Sequence, residues 1–346
     1  MAPAPVSEID FRRPKRQHEQ SARGPSSTVQ QSCQSVSTSA SAVQPLLDAI
    51  SEAGLKPVVL TTVQPHSSRF AVKRISGADT VLPMRLADLK NAALVGCSDD
   101  RLLAECKQVL SKMAVTDSSA ALLEQATQRQ SDCLLWHDHR IGRLTASNFH
   151  AASKTNPLKP ARTLLNTVMT ATYRSVPKSE AQRWGSDHEA TAREVYAGLY
   201  SATHDSHSVT PAGLTISKSQ PYLAASPDGW VSDSCCGKGV LEVKCPFSIR
   251  RDMPDTAAYL SRDADSCLQL DDMHPYYAQV QGQMNICDVE YCDFVVWTEQ
   301  GIAVVRVKRN TEYWQNLSCK LAKLYQCSIL PRLLTGEERS LDYVVD

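Results

Sequence analysis

Along residues 99–113 the large apolar side chains fall three and four positions apart: Leu102, Leu103, Cys106, Val109, Leu110 and Met113. That is the spacing of one helix face, and Ser98 or Asp99 is placed to cap it. The stretch "DSSAALLEQATQRQS" repeats the pattern with Leu122, Leu123 and Ala126. Upstream, "PLLDAISEAG" reads as a short helix closed by Gly54, and "PVVLTTV" as a short strand or an extended arm. Further along, the period switches between 3.6 and 2. "RWGSDHEATAREVYAGLY" predicts a helix after Gly185, and "GLTIS" and "PYLAASPDGWVS" predict strands around turns. "GVLEVKCP" is a strand stopped by Pro246, and "HPYYAQVQGQMNICD" starts a helix after Pro275. "YCDFVVWTEQGIAVVRVKR" reads as two strands joined by a turn at Glu299 to Gly301. The last helices carry Trp314, Leu317, Leu321 and Leu324 on one face and close the core. Helix, strands, helix, strands is the order of an α/β (α+β) fold with a mixed central sheet flanked by helices.

The first 44 residues lack such a pattern. Eight serines lie between Ser21 and Ala42, with Gln and Thr and few large apolar residues, so residues 1–44 are expected to be a disordered tail. Its basic run, Arg12 to Arg16, reads either as a nuclear import signal or as a solvated charge run. Residues 45–130 form a mostly helical N-terminal extension, and residues 131–346 the domain that carries chemistry. Lys plus Arg and Asp plus Glu number 37 each, so nucleic-acid binding would rest on a local patch rather than on bulk charge. The 12 cysteines have no Cys-x-x-Cys spacing and read as reduced thiols. No signal-peptide pattern or membrane span is visible, so an intracellular protein of nucleus or cytoplasm is expected, without membrane contact.

The unusual polar positions lie in "SPDGWVSDSCCGKGVLEVKCP". In a strand over "VLEVKC", Leu241 and Val243 face one way and Glu242 and Lys244 the other. The turn "SDSCCGKG" folds the segment back on itself, which brings Asp228, within Pro-Asp-Gly, toward Glu242. Two carboxylates at that distance repel unless a cation sits between them, and oxygen ligands suit Mg²⁺ or Mn²⁺. Lys244 would then stabilise a pentacovalent phosphate or help deprotonate an attacking water. The plainer reading is a surface hairpin with a Glu–Lys pair, which is common and contributes little.

Pro227-Asp228 followed by Glu242-Val243-Lys244 resembles the PD-(D/E)XK nuclease signature, and the chain is similar to its YqaJ branch, with the phage lambda-type exonucleases and viral recombinase nucleases. "WHDHRIGRLTASNFH" resembles that branch's opening motif. "WGSDHEATAREVY" resembles its Gly-x-x-x-Glu-x-x-Ala helix, "CPFSIRR" continues the strand, and "YYAQVQGQM" resembles its Gln-bearing helix. The resemblance implies a restriction-endonuclease-like core and metal-dependent hydrolysis of DNA. It implies that Asp228, Glu242, Glu189 and the carbonyl of Val243 hold the metal. It makes Lys244 the catalytic lysine and Gln279 the glutamine that places the water or the scissile phosphate. Arg140, Ser147 and Ser226 match a pocket for a terminal 5′-phosphate, and an arginine fork with two hydroxyls is a good phosphate donor set.

Each match has a plain alternative. Glu189 reads equally as an exposed helix acid, Gln279 with Gln283 as a polar helix face, Arg140 as a surface cation and Ser147 as a helix cap. DNA is the implied partner, in a groove lined by Lys154, Lys159, Arg162, Arg250 and Arg251, with a single-strand annealing or recombination protein beside it and oligomers allowed. An endonuclease of the same fold, or a non-catalytic DNA-binding recombination partner, stays open. Zinc is not expected: His137 and His139 have no partners at zinc spacing, and the adjacent Cys235 and Cys236 make poor joint ligands.

Overall fold

A five-stranded mixed sheet dominates the computed structural model, which describes residues 81–170 and 178–342, all inside one unit, Arg74–Asp346. The expected N-terminal tail, its basic run, the helix over residues 45–54 and the strand over 57–63 lie outside the described residues. In chain order come helices α1 (Asp99–Lys112), α2 (Asp117–Ala126) and α3 (Leu134–Arg140), strand β1 (Leu144–Thr145), and helices α4 (Phe149–Lys154), α5 (Arg162–Met169) and α6 (Glu180–Ser201). Strands β2 (Ser208–Thr210), β3 (Thr215–Ile216), β4 (Leu223–Ala225), β5 (Gly229–Asp233), β6 (Gly237–Lys244), β7 (Leu260–Arg262) and β8 (Leu268–Leu270) follow. Helix α7 (Pro275–Cys287), strands β9 (Tyr291–Thr298) and β10 (Gly301–Lys308), and helices α8 (Thr311–Leu324) and α9 (Leu330–Thr335) complete it. Among the described residues no helix is long and apolar enough to cross a membrane.

The main sheet runs β10-β9-β6-β5-β2, with β6 and β9 parallel and the other pairs antiparallel. Strand alternation divides its side chains between two helices. Leu241 and Val243 of β6 pack with Val231 and Val295 under Ala192 and Tyr196 of α6. Val240 packs with Phe294 and Val296 under Val280 and Met284 of α7 on the opposite face. Glu242 shares the parity of Val240 and so points toward α7, which prepares the site described below.

Helix α6 starts five residues before Gly185, not after it. Ser179 accepts from the Gln182 backbone N–H at 3.2 Å, and Gln182 accepts from the Ser179 N–H at 2.9 Å. This capping box nucleates the helix, and one interior glycine, costing about 1 kcal/mol, does not undo it. Helix α7 takes in Pro275 itself, since a first helical position needs no N–H, and crosses α4 at Gly282, where an added Cβ would meet the Phe149 ring at 2.4 Å. Ser98 caps α1, accepting from Arg101. Helix α2 meets the sheet through Glu124, which accepts from the Gly213 N–H at 2.8 Å and from Trp230 Nε1 at 3.0 Å.

A buried ion pair fastens α6 to the sheet. Arg306 grips Asp293 with two bonds of 2.8 Å, and Tyr196 donates its hydroxyl to Asp293 Oδ2 at 2.5 Å. Asp293 is fully buried, and both burial and its charge push the Tyr196 phenol far above its ordinary value. Asp293→Ala strands Arg306 opposite a cavity, and is expected to destabilise the fold by about 3–5 kcal/mol in denaturant titration.

Candidate active site

Asp228 stands at the mouth of β5, and the hairpin register carries it beside the end of β6 as the sequence predicts. Gly229 pairs with Leu241, and the Asp228 N–H donates to the Leu241 carbonyl at 2.9 Å. Asp228 Oδ2 accepts from the Val243 N–H at 2.7 Å. Two residues absent from the sequence-derived set hold this corner. Arg193, one helical turn after Glu189 on α6, donates to the Asp228 carbonyl at 3.0 Å. Gln130 donates to the Pro227 carbonyl at 2.8 Å.

Glu242 is only 2% exposed, and both of its oxygens are engaged. Oε1 accepts from Lys244 Nζ and, at 2.6 Å, from Gln279 Nε2; Oε2 accepts from Gln283 Nε2 at 2.6 Å. Gln279 therefore reaches the acid itself. Gln283, which the sequence leaves on a polar helix face, is fully buried and steadies the other oxygen. Its signal in the sequence is the i, i+4 spacing of two glutamines on a helix that follows a Glu-x-Lys strand. Lys244 Nζ also lies 4.6 Å from the centre of the Tyr276 ring.

The electrostatics are lopsided. Burial, then the charges of Glu242 and Glu189, hold the Asp228 carboxyl well above the usual range, although Lys244 and the Val243 N–H pull the other way. Burial likewise raises Glu189; Arg193 opposes it and Glu242 adds to it. Burial alone would discharge Lys244, but Glu242 and Asp228 outweigh it and hold the ammonium charged. Glu189, Asp228 and Glu242 gather oxygen donors around one bonded lysine, a donor set that fits a hard divalent cation.

Glu189, Asp228, Glu242 and Lys244 line one open cleft of about 1180 Å³. Among the described residues its lining cations are Lys178 and Lys244, and none of Lys154, Lys159, Arg162, Arg250 and Arg251 is among them. Arg250 instead lies 3.9 Å over the Phe247 ring and donates to the Phe247 carbonyl. Helical and loop positions give no direction from composition alone, so the sequence could not tell which basic residues face the cleft.

Arg140 and Ser226 come together through Trp136. The guanidinium lies 4.0 Å over the indole ring, and Trp136 Nε1 donates to Ser226 Oγ at 2.8 Å. Burial lowers the Arg140 pKa to about 10, which leaves it charged. Ser147 is exposed, 3.4 Å from the Thr145 hydroxyl, and Thr145 and Arg140 line the same small pocket. The cap here is Thr145, paired with Asn148, rather than Ser147.

Residues 135–290 match the YqaJ-like viral recombinase domain. Among solved structures, the alkaline exonuclease LHK-Exo from Laribacter hongkongensis is 24% identical, over 55% of this chain and 91% of that one, with a TM-score of 0.37. The Shutoff and Exonuclease Protein from Kaposi's sarcoma-associated herpesvirus is 13% identical, over 66% of this chain and 73% of its own, with a TM-score of 0.42. A phage-related exonuclease from Haemophilus somnus 129PT is 12% identical, over 55% and 94%, with a TM-score of 0.36. No curated protein matches the chain.

Proposed function

We propose, from the match of residues 135–290 to the YqaJ-like viral recombinase domain, that the chain is a metal-dependent DNA exonuclease of recombination, repair or viral and mobile-element processing. The observation that carries this reading is the buried Glu242, fixed by two glutamines beside Asp228 and a charged Lys244, in an open cleft. A non-catalytic DNA-binding protein would have no need of that expensive concentration of charge.

Asp228, Glu242 and the Val243 carbonyl, with Glu189 from α6, would hold one or two Mg²⁺ or Mn²⁺ ions. When bound, the ion supplies Lewis acidity and neutralises charge on the phosphate. Gln279 and Gln283 keep the Glu242 carboxylate in one orientation, and Arg193 fixes the backbone of Asp228. Of the two roles open to Lys244, the structure favours the cationic one. Its ammonium is bonded to Glu242 beside the cleft, well placed for charge developing on the phosphate oxygens. Excess chelator should abolish DNA cleavage and added Mg²⁺ or Mn²⁺ should restore it; cleavage that survives chelation sinks this reading.

Arg140, joined to Ser226 through Trp136 and to Ser147 through Thr145, would receive the 5′-phosphate of a DNA end. A charge-assisted hydrogen bond contributes about 1.5–3 kcal/mol, roughly a 10- to 100-fold effect. Arg140→Ala is therefore expected to erase a preference of that size for 5′-phosphate over 5′-hydroxyl ends, measured as kcat/KM on matched duplexes. An unchanged preference would remove Arg140 from end recognition.

A further inference from the structure

A second cluster of metal-ligating side chains lies at the far end of the β5–β6 hairpin, roughly 16 Å along β5 from Asp228 at 3.3 Å per residue. Asp233 ends β5, and Cys235 and Cys236 form the turn. His204 arrives from the segment just after α6. One ligand atom each from His204, Asp233, Cys235 and Cys236 lies within 4.8 Å of all the others.

Neighbouring cysteines make poor joint ligands when the chain is extended, but this turn brings their Sγ atoms to 3.6 Å. Two thiolates at about 2.3 Å from a tetrahedral zinc ion stand roughly 3.8 Å apart. An independent observation comes from the buried polar groups. The Asp233 side chain is 0% exposed; Oδ1 accepts from Cys236 N and Cys235 Sγ, while Oδ2 has no hydrogen bond to the protein. The His207 side chain is also 0% exposed, neither ring nitrogen is hydrogen-bonded, and Nδ1 lies 3.8 Å from Asp233 Oδ2. A buried carboxylate oxygen and imidazole that meet only as a loose ion pair, with no hydrogen bond, are poorly compensated, and such groups mark a place where another charge belongs.

We propose that His204, Asp233, Cys235 and Cys236 form a structural zinc site, with His207 steadying Asp233 from the protein side. Two thiolates and an imidazole select zinc over magnesium, and four protein ligands complete a closed tetrahedral shell. On binding, the two thiols release their protons to solvent. The ion clamps the end of α6 to the hairpin turn. Since α6 carries Glu189 and the other end of the hairpin carries Asp228 and Glu242, the clamp sets the register of the acids in the cleft. The site itself stands whether or not the cleft cleaves DNA.

The test uses the full chain, purified with a thiol reductant and no chelator, then desalted. Elemental analysis should find about one zinc per chain. Co²⁺ added alone to metal-stripped protein should give the visible bands of a tetrahedral site and a near-ultraviolet thiolate charge-transfer band. Replacing both turn cysteines (Cys235→Ser with Cys236→Ser) should remove the zinc and the charge-transfer band, while Asp228→Asn keeps both. His204→Ala, at a partly exposed position, should weaken zinc binding at least tenfold, about the least that loss of a ligand's supporting group alone costs. A wild-type protein with no thiolate-to-cobalt band, or a zinc content unchanged by the double cysteine substitution, would overturn the site.

Discussion

Replacing Lys244 with alanine is expected to slow DNA cleavage by about 10²–10³-fold, the usual loss when a group stabilising transition-state charge is removed. The side chain bonds Glu242 and stacks on Tyr276, and the two acids beside it hold it charged. Glu242 keeps its two glutamine donors in the variant, so the metal-holding corner survives and the loss should fall on kcat rather than on KM. Single-turnover cleavage at saturating Mg²⁺ separates the two. A rate equal to that of the wild type would take Lys244 out of the reaction.

Asp228→Asn should abolish cleavage and at the same time stabilise the metal-free protein. The folded-state pKa of Asp228 is raised by burial and by Glu242 and Glu189. The folded protein therefore binds this proton more tightly than the unfolded chain does. Below the ordinary carboxylate pKa the group is protonated in both states and costs nothing. As pH rises through that value the unfolded state ionises first, and native stability falls until the folded pKa is passed. Asparagine removes the penalty and still accepts from the Val243 N–H. At about pH 8 the gain should be about 0.5–2 kcal/mol, as for other relieved functional sites, and it should vanish near pH 4. Mg²⁺ should raise the melting temperature of the wild type and not of the variant. A variant less stable than the wild type at alkaline pH would contradict this picture of the cleft.

Much of this was legible in the sequence because strand alternation is a strong constraint. Once β6 is a strand, Glu242 and Lys244 must share a face, and the short turn after Asp233 fixes Asp228 opposite them. The turn at Gly301 was equally readable, since its φ of +138° suits glycine. What escaped were partners joined only by tertiary packing. Gln283 looked like solvated helix surface until α7 lay across β6. Tyr196, Asp293 and Arg306 come from α6, β9 and β10, with no local pattern linking them. His204 meets Cys235 across 31 positions of chain, and the cysteine pair looks unfit for a metal until the turn sets its sulfur separation. The start of α6 was misplaced because an interior glycine is a weaker signal than a capping box. The basic residues expected along the DNA groove do not line the acidic cleft itself, because charge on a helix end or a loop carries no direction.

The most direct test is one reaction on two substrates. The protein is incubated with Mg²⁺ and either a linear duplex or a covalently closed circle of the same sequence, with Asp228→Asn in parallel. Degradation of the linear duplex, an intact circle and no cleavage by the variant are expected. A cut circle would contradict an exonuclease, and cleavage of neither substrate, or equal cleavage by Asp228→Asn, would contradict a nuclease at this cleft altogether.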